Sequence, residues 1–405
     1  MRFALAFTLG FAFAGPATAF AEAVSISALL AAANDHPSVR ASQSDMEAAS
    51  FDKDAAKWRQ FPTAKLDATN KFNDPNAVTF TLEQPIWNGG SIAAGIAFAE
   101  ENVLATSSAV DETLLSLQRE IARNGIELNR LNRQLVIARN DVQALELLNE
   151  TMSLRVKNQI SPLAELTTVQ ARLSQANSQR FQIDGGIKRT QITLYEATGL
   201  NVDSIRSVDC SVGDDYSIER LLEEATVASP TIARLAHEAS RSRFNVEQAN
   251  AELLPRVVLG FENTHVSGSS NDNTSTAYIA FRYQLSDGLS SQSRIAAARS
   301  KMNSADYAQR KGMSVLQREI HSLVEAYASA SNQIKPLEQL VQSNESLMVS
   351  YLAQYKVGKK SWLDVMNAQR EYTQAQYSLV DAESTRCVSA LELGLLTSNT
   401  FFVER

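Results

Sequence analysis

The side chains best suited to chemistry in this chain are four histidines and two cysteines. His36, His237, His265 and His321 are scattered, with no pair at the i, i+3 or i, i+4 spacing that grips a metal on one helix face. No glycine-flanked serine elbow, phosphate-cradling glycine loop or Cys/His cluster accompanies them. The chain is therefore expected not to be an enzyme and to use neither cofactor nor metal. Cys210 and Cys387 allow one disulfide in an oxidising compartment, or two buried, inert thiols. Ser361-x-x-Asp364 fits a capping box, in which the acid accepts from the Ser361 backbone N–H. These groups point to scaffolding rather than reaction, so the elements that carry them matter most.

The chain states its plan twice. Leu117–Ile121 reads LQREI, and the same string returns 199 positions later at Leu316–Ile320. Pro37, Phe51 and Pro62 recur as Pro230, Phe244 and Pro255, each shifted by 193. Glu165 and Gln170 recur as Asp364 and Gln369, shifted by 199. The extra residues fall in the Gly/Ser/Asn-rich loop Ser267–Ser275. A unit of about 200 residues far exceeds the 20–50 of solenoid repeats and reads as a duplicated module. The expected division is a first repeat over 22–200, a linker over 201–216, a second repeat over 217–398 and a tail over 399–405.

Residues 1–21 have the pattern of a secretory signal peptide: Arg2, an apolar core from Phe3 to Ala14, and Ala19-Phe20-Ala21 as the cleavage site. No later run reaches the 18 apolar residues of a membrane-spanning helix. The formal net charge is −7, and no basic, aromatic-interleaved patch is present, which argues against a nucleic-acid partner.

In each half a helical segment, Ser25–Gln60 or Ser217–Leu254, stops at Pro62 or Pro255. Two alternating segments follow: Lys65–Phe72 with Thr79–Ile86 across the turn Asn73–Asn76, and Arg256–His265 with Ala277–Leu285. Period-two alternation with β-branched and aromatic residues predicts strands. Ile279, Phe281, Tyr283 and Leu285 share one face, and Arg282 and Gln284 the other. Such lengths fit the 9–11 residues of a membrane-spanning strand, and equally a soluble sheet lying on helices.

Then come the long helices. Leu114, Ile121, Leu128, Leu135 and Val142 fall seven apart, interleaved with Leu117, Leu131, Ala138, Leu145 and Met152. Met313, Ile320, Tyr327, Ile334 and Val341 repeat the register, with Leu316, Leu323, Ala330, Leu337 and Tyr351 between them. Heptads sustained this far predict coiled-coil packing. Ser91 to Asn158 contains no proline and predicts roughly 100 Å of helix. Pro336 is expected to kink the second long helix slightly. Breaks at Lys157–Pro162 and Lys356–Ser361 predict hairpins, with Ser161 as N-cap, Pro162 as first helical residue, and Gly358 as a left-handed stop. Gly185-Gly186 inside the next helix predicts a kink or a close helix contact. Four strands cannot close a barrel, and open edges in lipid leave backbone groups unpaired. If the strands meet lipid, the protein must be an oligomer.

Three motifs carry a resemblance. They are Asn34-Asp35-His36-Pro37, then Glu83-Gln84-Pro85-Ile86-Trp87-Asn88-Gly89-Gly90, then the run Tyr355-Lys356-Val357-Gly358-Lys359-Lys360-Ser361-Trp362-Leu363-Asp364-Val365-Met366-Asn367-Ala368-Gln369. In this order, over nearly the whole mature chain, the sequence resembles the TolC-like outer-membrane efflux and secretion proteins. The resemblance implies a mainly α fold with a small β part: a long α-helical coiled-coil barrel continuous with a trimeric twelve-stranded transmembrane β-barrel. Each chain gives four strands. It also implies a homotrimer in the cell outer membrane, in contact with outer-membrane lipid and extending into the periplasm. The trimer would be a passive exit duct opened by an inner-membrane transporter and a periplasmic adaptor, for type I protein secretion or small-molecule efflux. The alternative is a soluble periplasmic coiled-coil adaptor.

By the same resemblance, Asp364 occupies the position of an aspartate ring that narrows the tunnel entrance. Asn367 stands where the family has a second aspartate, which halves the expected ring charge. Glu165 could add a second acidic ring. Lys360 and Tyr355 occupy the positions of a latch that holds the tip shut, with Lys a point charge in place of a planar fork. The helix tips at Gln159, Ser161, Gly358 and Ser361 are implied adaptor contacts. For Asp364, the capping box and the pore-facing ring both stand open.

Overall fold

The computed structural model describes residues 23–70, 76–206, 208–212, 217–266, 274–283, 290–399 and 403–404. The expected signal peptide over 1–21, most of the Asn73–Asn76 turn and most of the Ser267–Ser275 loop lie outside these residues.

Each expected opening helix is split in two. In the first half α1 (Ile26–Ala32), a short 3₁₀ turn and α2 (Pro37–Trp58) replace one run. The split falls at His36-Pro37, because proline starts a helix readily but forces its predecessor extended; His36 has ψ 140°. After the second half's α5 (Ile218–Ala228), Ser229-Pro230 does the same ahead of α6 (Pro230–Ala251), and the Ser229 hydroxyl accepts from the Ile232 N–H.

The long helices are α3 (Ser91–Lys157) and α7 (Ser290–Lys356), each of 67 residues, or roughly 100 Å at 1.5 Å per residue. Their return helices, α4 (Leu163–Thr198) and α8 (Trp362–Thr397), each have 36. α7 passes through Pro336 without interruption. α4 likewise runs through Gly185-Gly186, where a side chain at Gly186 would touch Leu131 of α3. Gly186 therefore faces α3, whereas a side chain at Gly185 would meet only Arg189 of its own helix.

α3 packs on α4 and on α8, α8 packs on α7, and α4 barely meets α8. In the half nearest the hairpin turns the lateral order is α4-α3-α8-α7, with α4 and α7 at open sides; in the other half α6 packs on both α3 and α7. This explains why the heptad pattern is buried over most of α3, whereas in α7 only Leu316, Ile320 and Ala330 of it are buried. In α3, Leu128, Leu135, Val142 and Met152 are all buried. In α7, Ile334, Leu337 and Val341 are only half-buried.

The four longer strands are β1 (Thr63–Thr69), β2 (Ala77–Trp87), β4 (Arg256–Val266) and β5 (Thr274–Arg282), in one antiparallel sheet ordered β1-β2-β4-β5. β1 and β5 are free edges. The register pairs Leu66 with Phe80, Leu82 with Phe261, and Leu259 with Ile279. These residues therefore form one apolar face. The opposite face carries Lys65, Asp67, Glu83, Glu262, Tyr278 and Arg282. A shift in register between Pro85 and Trp87 brings Trp87 opposite Val257, on the apolar side. Ile279 is 76% exposed and Phe281 69%. On the polar face Tyr278 lies flat over Gly260, where any Cβ would collide with its ring, and donates its hydroxyl to Glu83 at 2.8 Å.

At mid-height, β3 (Val208–Asp209) in the linker pairs with β6 (Val403–Glu404) at the C-terminus. Cys210 and Cys387 form a disulfide beside them, with a Cα–Cα distance of 5.0 Å.

Candidate functional site at the helical tip

The far end of the long helices is made by two turns built alike. Ile160 N–H donates to the Arg155 carbonyl at 2.8 Å, and Lys359 N–H to the Gln354 carbonyl at 3.0 Å. The left-handed position is Gly358 in one turn (φ 74°) and Gln159 in the other (φ 58°). Glycine meets that backbone without strain, whereas Gln159 does so at a cost of about 1 kcal/mol. Both residues are exposed at the very tip.

The first turn departs from its expected cap. α4 begins at Leu163, so Pro162 sits at the N-cap and Ser161 outside the helix. The Ser161 hydroxyl turns instead toward its neighbours across the tip. It accepts from Arg155 Nε at 3.1 Å and lies 3.4 Å from the Tyr355 hydroxyl. Tyr355, near the end of α7, is 9% exposed and donates to Glu165 Oε2 of α4 at 3.2 Å. The Arg155 guanidinium stacks over the Tyr355 ring, 5.0 Å from its centroid. Trp362 packs on the other flank, with ring centroids 5.1 Å apart. The Trp362 side chain is buried, and its indole N–H has no partner among the described residues.

The second turn uses its acid differently. Asp364 Oδ2 accepts from the Ser361 N–H at 3.1 Å and from its hydroxyl at 2.9 Å, while the Asp364 N–H donates back to the Ser361 hydroxyl. The capping box is therefore formed. The Ser361 hydroxyl, then its backbone N–H, hold the Asp364 carboxyl below its ordinary range, with Lys360 adding in the same direction. Both cap bonds end on Oδ2, so Oδ1 takes no part in them. Asn367 is half-buried one turn on. Lys360 does not reach Tyr355: its ammonium lies over the Tyr351 ring, 4.2 Å from the centroid, within its own hairpin.

Among the residues singled out from sequence, Ser161, Glu165 and Tyr355 are thus brought together, and Ser361 with Asp364 forms a separate pair. Arg155 and Trp362 join the first group; Trp362 lies inside the run Tyr355–Gln369 that carries the resemblance, and Arg155 lies outside every motif. Arg155 aligns with Gln354 in the second repeat, so the internal comparison hides it. Its one visible signal is a cation in the last turn of α3, favourable to the helix dipole.

Above the tip, the seam between α3 and α8 is polar where the seams inside each hairpin are apolar. Asp141 accepts from Gln369 and Thr373, both at 2.9 Å. Asp381 accepts from Arg130 at 2.9 Å and Gln134 at 2.8 Å. Higher still, Glu392 is 2% exposed and takes both Arg119 and Arg123, and Arg119 also reaches Glu319 of α7. Burial pushes the Glu392 carboxyl up, but the two guanidinium groups outweigh it and hold the acid below its ordinary value.

The family model described as "Outer membrane efflux protein" matches residues 29–200 and 221–398. The outer membrane efflux protein BepC of Brucella suis is 23% identical over 358 residues, covering 81% of this chain and 73% of the relative. The solved outer membrane protein VceC of Vibrio cholerae superposes with a TM-score of 0.81 at 18% identity, over 93% of this chain and 96% of that one. The CmeC outer membrane channel of Campylobacter jejuni gives 0.82 at 12% identity, over 93% and 85%.

Proposed function

Because the chain belongs to the outer membrane efflux protein family, we propose that three copies form an exit duct serving an inner-membrane transporter through a periplasmic adaptor. The protein lies in the outer membrane and extends into the periplasm. The observation that carries the oligomeric reading is the sheet. Its apolar face is turned to the surroundings, its polar face is charged, and both edges are unpaired. A soluble sheet on helices would hide the apolar face. In lipid, each unpaired edge group costs several kcal/mol, so β5 must meet β1 of a neighbour. Three subunits with four strands each then close twelve. The half-buried seam of α7 and the open side of α4 support the same closure among the helices. The soluble-adaptor alternative leaves Ile279 and Phe281 in water with no role.

The conduit is passive, with no reaction of its own, and carries either secreted protein or small molecules according to the transporter it joins. Gln159, Ser161, Gly358 and Ser361 meet the adaptor at the tip, where all but Ser161 are exposed. The Asp364 ring, supported by Glu165 and with Asn367 neutral, sets a moderate preference for cations. The test is insertion of the detergent-purified protein into planar bilayers. Ion conduction by a trimer is expected; purified trimers that never conduct would remove the duct.

A further inference from the structure

Resting on the duct reading above, we propose that the tip is held shut by Arg155 acting on Tyr355, and not by Lys360. Three residues of the first hairpin form a socket: Arg155 at the end of α3, Ser161 in the turn, and Glu165 in the first turn of α4. One residue of the second hairpin, Tyr355, fills it.

The donors fix the direction of the bonds. Arg155 Nε donates to the Ser161 hydroxyl, and the single Tyr355 proton goes to the Glu165 carboxylate. The Ser161 proton must therefore point at the Tyr355 oxygen. The chain runs from a permanent cation through two hydroxyls to an anion, so each bond polarises the next. The same guanidinium covers the Tyr355 ring face. A lysine has one compact charge and could not both stack flat and donate along Nε. Among the described residues, Lys360 is held over Tyr351 in its own hairpin and makes no bond across the gap. Removal of Arg155 strips the ring of its cover and Ser161 of its donor together. Tyr355 then keeps only its bond to Glu165 across the gap, and the two hairpins part more readily.

The experiment compares Arg155→Ala, Arg155→Lys and Lys360→Ala trimers in planar bilayers. Loss of a charge-assisted bond corresponds to about a tenfold rise in open population for Arg155→Ala. Arg155→Lys should fall between, and Lys360→Ala should match the wild type. An open Lys360→Ala channel beside an unchanged Arg155→Ala channel would overturn the assignment. If neither the wild-type nor any variant trimer conducts, the duct reading fails instead. The clasp is then read from thermal unfolding of Arg155→Ala, Tyr355→Phe and the double variant. The double variant should shift the midpoint no further than the larger single one; additive shifts would overturn the clasp.

Discussion

Tyr355 of α7 donates its hydroxyl to Glu165 of α4 across 3.2 Å, although these two helices belong to different hairpins and make no other seam. A tunnel of long helices can open only where its hairpins separate. The side-chain bonds across that gap therefore set the stability of the closed form, while the apolar seams within each hairpin stay intact. The α3–α8 seam, built from Asp141, Gln369 and Thr373, has the same polar character. Polar contacts of this kind can be exchanged for water at small net cost, about 1 kcal/mol each.

Asp364→Asn is expected to lower the cation preference of the channel and to weaken the start of α8. The cap holds the Asp364 carboxyl below its ordinary value. Its contribution to stability is thus present above the unfolded-state value and is lost as pH falls through the depressed one. Reversal potentials across a salt gradient should show wild-type selectivity persisting into acid, below the range where ordinary carboxylates titrate. Unchanged selectivity in Asp364→Asn would remove the ring.

Glu392→Ala should be among the most damaging single changes outside the sheet. It leaves the largely buried Arg119 with Glu319 alone and releases Arg123, which is already half exposed, to water. Loss of these charge-assisted bonds costs about 2–3 kcal/mol. Denaturant unfolding in detergent measures it, and a loss under about 1 kcal/mol would show the network to be wet.

Reduction of the Cys210–Cys387 bond, or Cys387→Ser, should destabilise the middle of the molecule by about 2–5 kcal/mol. The bond ties the linker to α8 beside the β3–β6 pair, so fraying there should follow. Thermal scans with and without a reductant check this; identical midpoints would contradict it.

The two faces of β5 should respond oppositely to charge. Ile279→Arg places a cation on the apolar face, at about 2–4 kcal/mol if that face meets the bilayer core. Thr276→Arg, on the polar face, should assemble normally. Yield of detergent-resistant trimers separates the cases, and equal tolerance at both positions would argue against lipid on the apolar side.

Much of this is legible in the residues, and the exceptions have physical causes. Heptads in α3 and α7 mark the long helices, and alternation in β5 separates Ile279 and Phe281 from Arg282. The breaks at Pro37 and Pro230 are easily missed because helical periodicity resumes on both sides of each proline. Burial of α7 cannot be foreseen, since identical patterns in α3 and α7 meet different neighbours. At the tip, the spacing from Ser361 to Asp364 foretells the capping box, because that contact is local. The socket for Tyr355 is hidden, because Arg155, Ser161 and Glu165 meet it only after two helices nearly 200 residues apart are laid side by side.

One chain is expected to supply a third of a closed wall. Native mass measurement of the detergent-extracted mature protein addresses it most directly. A single species of three chains, lost only on unfolding, is the predicted result. A stable monomer that stays in solution without detergent would contradict it.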